Sequence, residues 1–298
     1  IVVIDSGHEE EVVREISRYA NTQNVVQIAD FSANDPFHVA LEELSRRIWC
    51  PGEQGRWFYE RARGQYQEEK AKATTPARQR RFTEQTPPAR RFVKTDVARY
   101  QNTWDLKPHM VCLGSQKNFD SFTQELRTKK GDFLPDEVWY RELIAKGILY
   151  RTVEKVVREA KLLGYRSQVA TYLTAFLVDR SGSRLDLDGI WKRQELTPNL
   201  LALLKSWVHP VLAAVTDSAA GKNVTQWCKS PGCWDAVRQT VVSMPSTLPA
   251  ELSTGLSTAM GRTTTTDGTI TPADLENIDA CKRLDGATWL RISGEGRR

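Results

Sequence analysis

A chain of 298 residues, 40% hydrophobic and 27% charged, has room for one large or two medium domains, each with a proper core. No apolar run reaches the ~18 residues of a membrane span, and Ile1–Ile4 is too short, and lacks the basic flank, for a signal peptide. Five scattered cysteines, an odd number, argue against a secreted disulfide scaffold and point to a reducing, cytoplasmic compartment.

The net charge of +5 is unevenly spread. Arg56 to Lys94 carries eleven Lys/Arg against four Asp/Glu, which leaves the rest of the chain slightly acidic. A concentrated basic segment follows an anionic partner, phosphates first, or else forms a solvated charged hairpin or loop.

In chain order, Ile1–Ile4 reads as a buried strand ended by Asp5-Ser6-Gly7. A strand at residue one, without Met, suggests a fragment whose preceding partner is missing. Residues 9–20 read as a helix, with Val12, Val13, Ile16 and Tyr19 on one face, and Val25–Ile28 as a second strand. Asp35-Pro36 is an N-cap followed by proline at the first helical position. The helix it opens runs to about Trp49 and buries Phe37, Leu41, Leu44 and Ile48. Trp57-Phe58-Tyr59 is strand-like. Lys70 to Arg91 has almost no apolar anchors and reads as a loop or long hairpin arm, within a basic arm over about residues 67–93. Thr95 caps a helix carrying Val97, Tyr100 and Trp104.

From Asp136 onward the period becomes helical: Val138, Leu143, Ile144, Ile148, Leu149, Val153, Val156 and Val157 share a 3.6-residue repeat, with Gly164 as a stop. Val169, Tyr172, Leu173, Phe176 and Leu177 mark the next helix, and Leu185–Gln194 a further one. Thr197-Pro198 starts a helix from Leu200 to about Val208, with more helix from Val211 and around Trp227 to Val242. Residues 243–269 read as a linker or exposed loop, Thr271-Pro272 opens a last helix, and Thr288–Ile292 a terminal strand. The expected fold class is α+β: a small mixed α/β part over 1–130 with the basic arm, a mainly α-helical part over 131–242, the linker, and a C-terminal helix and strand over 270–298.

Nuclease chemistry of the restriction type needs clustered carboxylates and a lysine around a metal. Glu69-Lys70 and Asp188 to Lys192 supply the residue types without the strand context. Phosphate-cradling and nucleophile-elbow loops are absent, and four widely spaced histidines read as ordinary residues. No catalytic or metal-ligating residue and no cofactor is therefore assigned. Cys228 and Cys233, bracketed by Trp227 and Trp234, read as buried thiols flanking a turn, with zinc binding the alternative if Cys281 or a histidine completed the set.

The most distinctive stretch interleaves aromatics and arginines from Trp57 to Tyr66. Arginine forks grip phosphate, and tyrosines stack on bases. Tyr59, Arg61, Arg63, Gln65 and Tyr66 are the first candidates for nucleic-acid or ligand contact, and Glu60 is read as a brace paired with Arg61 or Arg63. Arg80, Arg81, Arg90, Arg91 and Lys94 extend the set along the basic segment. Gln116, Lys117 and Asn118, within Gly114–Phe119, form a second polar loop suited to phosphate.

Phe58-Tyr59-Glu60-Arg61-x-Arg63-Gly64-Gln65-Tyr66 resembles the hallmark motif of the AIPR (abortive infection phage resistance) family. Asn21-Thr22-Gln23-Asn24, Lys94-Thr95-Asp96-Val97-Ala98, Gly114-x-Gln116-Lys117-Asn118-Phe119, Leu149-Tyr150-Arg151, Gly164-Tyr165-Arg166 and Asn223–Cys228 follow in the family's order, so the resemblance runs from residue 1 to about 240. It implies bacterial anti-phage defence within restriction-like systems. In longer members an N-terminal part resembles a restriction endonuclease, with acidic residues and a Gln-x-Lys signature that are not found here. Mg2+ would belong to that parent nuclease. The leading expectation is a module that binds DNA or positions and regulates the upstream nuclease. A protein-interaction or self-association scaffold with defence partners is second. Catalysis within this chain, by Glu60, Asp96 and Lys117, ranks last.

Overall fold

The computed structural model describes residues 35–53, 55–129, 133–181, 185–242 and 249–252. The elements read at residues 1–28 and beyond 252 lie outside the described residues. Between them the chain is α+β and mostly helical.

Helix α1 (Pro36–Arg47) follows Asp35, with proline in its first turn and Arg46 and Arg47 in its last, where cations suit the helix dipole. Phe37, Leu41 and Leu44 form its buried stripe. Strand β1 (Phe58–Glu60) pairs in parallel with β2 (Arg91–Val93), Tyr59 opposite Phe92. Parallel strands need a crossover connection of a dozen or more residues. The basic segment is that crossover, and of the two readings, loop or long hairpin arm, the loop is corrected: the arm is a helical hairpin. It folds as two helices, α2 (Gln65–Lys72) and α3 (Pro76–Gln85), with Thr75 accepting the Arg78 amide at 3.3 Å. Ala, Gln, Glu, Lys and Arg all favour helix. Two rings, Tyr66 and Phe82, anchor the pair at a centroid distance of 5.2 Å.

Helix α4 (Lys94–Trp104) starts one residue before Thr95, and its cap is the Asp96 carboxylate, which accepts the Val93 amide at 3.1 Å. After α5 (Pro108–Val111), Ser115–Lys129 forms α6. Gln116–Asn118 therefore sit in the first turns of a helix rather than in a loop.

Helix α7 (Glu137–Glu159) is capped by Asp136, which accepts the Trp139 amide at 2.7 Å. Helix α8 (Arg166–Arg180) is buried on nearly every side from Val169 to Asp179 and forms the centre of the core. Helix α9 (Leu187–Arg193) packs on α7. Helix α10 (Pro198–Asp217) continues across Pro210, where the sequence suggested two pieces. A proline removes one backbone bond, and here Leu204, Trp207, Val208, Val211 and Val215, all fully buried, hold the helix together. This helix alone among those described is long and apolar enough to cross a bilayer, and its apolar face is spent on the core. The helix expected around Trp227 to Val242 is two short ones, α11 (Val224–Trp227) and α12 (Pro231–Arg238), separated by Cys228–Ser230. One apolar cluster extends from Phe37 to Leu252. Within the stretch read as a linker, Glu251 is fully buried and accepts from Arg193 at 3.0 Å and from the amide and hydroxyl of Thr197 at 2.8 Å.

Candidate functional site

The hallmark motif is a sharp turn between β1 and α2. Gly64 caps α2 at φ +85°, a left-handed conformation that costs glycine nothing. The Gln65 side-chain carbonyl accepts the amides of Arg61 at 3.1 Å and Ala62 at 3.2 Å, and the Glu60 carboxylate accepts the Gly64 amide at 2.6 Å. Beneath the turn lies a residue the motif does not contain. Glu42 of α1 receives the Arg61 guanidinium and the Gln65 amide, together with Arg46 at 2.8 and 3.1 Å. Arg46 also pairs with Glu69 of α2. Burial alone would raise the Glu42 carboxyl, but its hydrogen bonds from Arg61, Arg46 and Gln65 outweigh burial and hold it below the ordinary carboxylate value.

Glu60 is a brace, but its partner is Arg91 at 3.2 Å, across the sheet, while Arg61 is taken by Glu42. Tyr59, 1% exposed, meets His38 Nδ1 at 2.7 Å through its hydroxyl. Burial, followed by the charges of Lys94 and Arg61, pushes His38 down to about 3, so the imidazole is neutral and the phenol is read as donating to it. Tyr66 donates its hydroxyl to the Thr86 carbonyl at 2.7 Å, and Arg91 lies over its ring. Lys94 is buried at the start of α4. Tyr59, Tyr66 and Lys94 thus belong to the interior, and neither tyrosine presents a face for a base to stack on.

The remaining candidates separate into two places. Arg63 stands exposed at the tip of the turn, and Arg80 and Arg81 are exposed on α3, with the half-buried Arg90 at the hairpin's return. Gln116, Lys117 and Asn118 lie on α6, which packs against α4 and α5. Of these only Lys117 is exposed, and Asn118 is buried and accepts from Asn102 at 2.8 Å.

The hairpin also presents Lys70, Lys72 and Arg78, none of them among the sequence's candidates for nucleic-acid contact. A groove of about 410 Å³ between α2 and α3 is lined by Lys70, Pro76, Gln79, Arg80, Thr83 and Glu84. Arg151 of α7 fastens the hairpin's return to the helical body. It donates to the carbonyls of Ala89 and Arg91 at 2.6 Å and to the Tyr100 hydroxyl at 2.7 Å, and stacks over Trp57. Its hydrogen-bond partners lie 51 to 62 residues away, so no local pattern announces it.

Among the described residues no group of three His, Cys, Asp or Glu side chains is placed to hold a metal ion. Cys228 and Cys233 are buried free thiols beside Trp227 and Trp234, and Tyr172 donates to the Cys228 carbonyl at 2.9 Å.

The arrangement defines a class: an α+β protein whose parallel strand pair is crossed by an exposed basic helical hairpin, rooted in a carboxylate-braced arginine turn. The chain belongs to the AIPR family, whose model, described as AIPR protein, matches residues 1–219. That membership places it among abortive-infection, phage-resistance proteins. Neither a curated protein nor a solved structure matches the chain.

Proposed function

We propose that this chain binds DNA through the α2–α3 hairpin and, in a longer cytoplasmic defence protein, positions or regulates an upstream restriction-endonuclease-like nuclease. One observation carries the reading. Arg63, Lys70, Lys72, Arg78, Arg80 and Arg81 have no carboxylate within 4.0 Å among the described residues, whereas Arg46, Arg61 and Arg91 do. Uncompensated cations repel one another, and a phosphate backbone relieves that repulsion while releasing its counterions.

Fluorescence anisotropy of a labelled duplex across a salt series tests this. Neutralising about four to six phosphates should cost roughly 10²–10³ in affinity between about 50 and 200 mM salt. Arg80→Glu/Arg81→Glu should abolish binding at the higher salt. Salt-insensitive binding, or none at low salt, defeats the proposal.

A second reading, a protein-interaction scaffold, is favoured by apolar side chains left open to solvent, Leu134 and Val138 among them. A strictly monomeric chain in light scattering counts against its self-associating form.

A further inference from the structure

The hairpin consists of an eight-residue helix, a three-residue turn (Ala73–Thr75) and a ten-residue helix. Its second helix, α3, has no buried residue. Phe82 is its anchor, with ring centroids 5.2 Å from Tyr66 and 6.2 Å from Phe58. At 100° per residue, Pro76, Gln79, Arg80 and Thr83 share the strip that lines the groove toward α2. Ala77, Arg78 and Arg81 fall on the face opposite the groove, with Arg78 about 40° round the helix from Phe82, and all three are exposed. Two arginines one turn apart, beside a methyl-sized neighbour, leave the helix surface low around two bidentate donors.

The aromatics decide between single-stranded and duplex partners. Single-strand binding relies on exposed rings on which bases stack. Trp57, Phe58, Tyr59, Tyr66 and Phe92 are all buried, and Phe82 is half-buried against two of them. The hairpin therefore offers cations without stacking platforms, and that combination suits a duplex.

We infer that α3 is a recognition helix: it enters the major groove of duplex DNA, Arg78 and Arg81 reach guanine edges, and Lys70 and Arg80 at the groove hold neighbouring phosphates. A helix of ten residues spans about 15 Å and, with side chains, is about as wide as the ~12 Å major groove. Arginine paired to guanine O6 and N7 is the commonest specific contact there. The inference rests on the DNA-binding reading above and adds groove and base preference to it.

The test is selection of the full chain on a random duplex pool, followed by guanine-N7 methylation interference on the bound fraction. Arg78→Ala/Arg81→Ala, Lys70→Ala/Arg80→Ala and a duplex RNA of matched length run in parallel. Both variants alter only side chains outside the core, so the fold is retained. Wild type should enrich a guanine-containing site at which N7 methylation weakens binding by roughly tenfold or more. Arg78→Ala/Arg81→Ala should lose that preference and bind the pool more weakly, but still in a salt-dependent way. Lys70→Ala/Arg80→Ala should keep the preference, weaken binding to every sequence alike, and lower the salt slope by about two. Salt-dependent binding with no enriched site, no N7 interference, or equal affinity for duplex RNA, whose major groove side chains cannot enter, overturns the inference and leaves the backbone-binding reading standing. Absence of any DNA binding removes both.

Discussion

Replacing Glu42 by alanine should destabilise the protein by about 3–4 kcal/mol. The largest loss is the charged bond to Arg61, whose side chain is 23% exposed, and hydrogen bonds to ionised groups are worth about 1.5–3 kcal/mol each. Gln65 loses its acceptor too, and with it part of its hold on the Arg61 and Ala62 amides. Arg46 adds little, about 0.5 kcal/mol, because its side chain is 49% exposed and keeps Glu69. Urea unfolding followed by tryptophan fluorescence measures the loss, which should lower the melting temperature by roughly 10 °C for a domain of this size. The folded carboxyl lies below its ordinary value, so the unfolded chain binds more protons in that acid window. The contribution of Glu42 is then complete above the ordinary carboxylate value and disappears as pH falls through the depressed one. Glu42→Ala should accordingly be less acid-sensitive than wild type. A loss below about 1 kcal/mol, or Glu42→Ala and Arg61→Ala effects that add within about 0.5 kcal/mol, would refute the brace.

Two other perturbations probe the interior. His38, held down to about 3, is neutral when folded but protonates below 6.5 when unfolded, so stability should rise with pH between those values by up to about 1.4 kcal/mol per unit. Denaturation midpoints at pH 5 and 7 should differ less for His38→Asn than for wild type, and an unchanged difference rejects the assignment. Gly147→Ala places a Cβ 2.8 Å from Tyr100 Cε2, on a ring tethered by Arg151 at 2.7 Å. The clash should cost about 1–3 kcal/mol, more than the helix propensity alanine gains, and a raised melting temperature would contradict it.

The helices with a strong apolar period were legible from sequence. Asp35-Pro36, Asp136 and Thr197-Pro198 do start helices, because caps and proline act within one turn. The two failures of local reading share one cause. Residues 70–91 and 114–119 are polar, and polarity by itself points to a loop, with a hairpin arm the alternative for the first. In the structure most of each segment is helical because a few aromatic anchors and good helix formers suffice once a neighbouring surface exists to pack on. Pro210 failed in the opposite sense: a strong local breaker was overruled by a buried face.

The sequence alone determined the α+β class, the basic concentration between Arg56 and Lys94, and the ordered motifs of the AIPR family, since composition, period and short-range spacing are properties of the chain itself. The tertiary structure decided which charges are spent inside and which are left facing out. Arg61 goes to Glu42, 19 residues away, Glu60 to Arg91 across the sheet, and Arg151 to carbonyls some 60 residues distant, while Arg63, Arg78 and Arg81 remain exposed. An arginine reads the same in sequence either way. Its role depends on whether the fold brings a carboxylate within a few ångströms, and only long-range packing sets that distance.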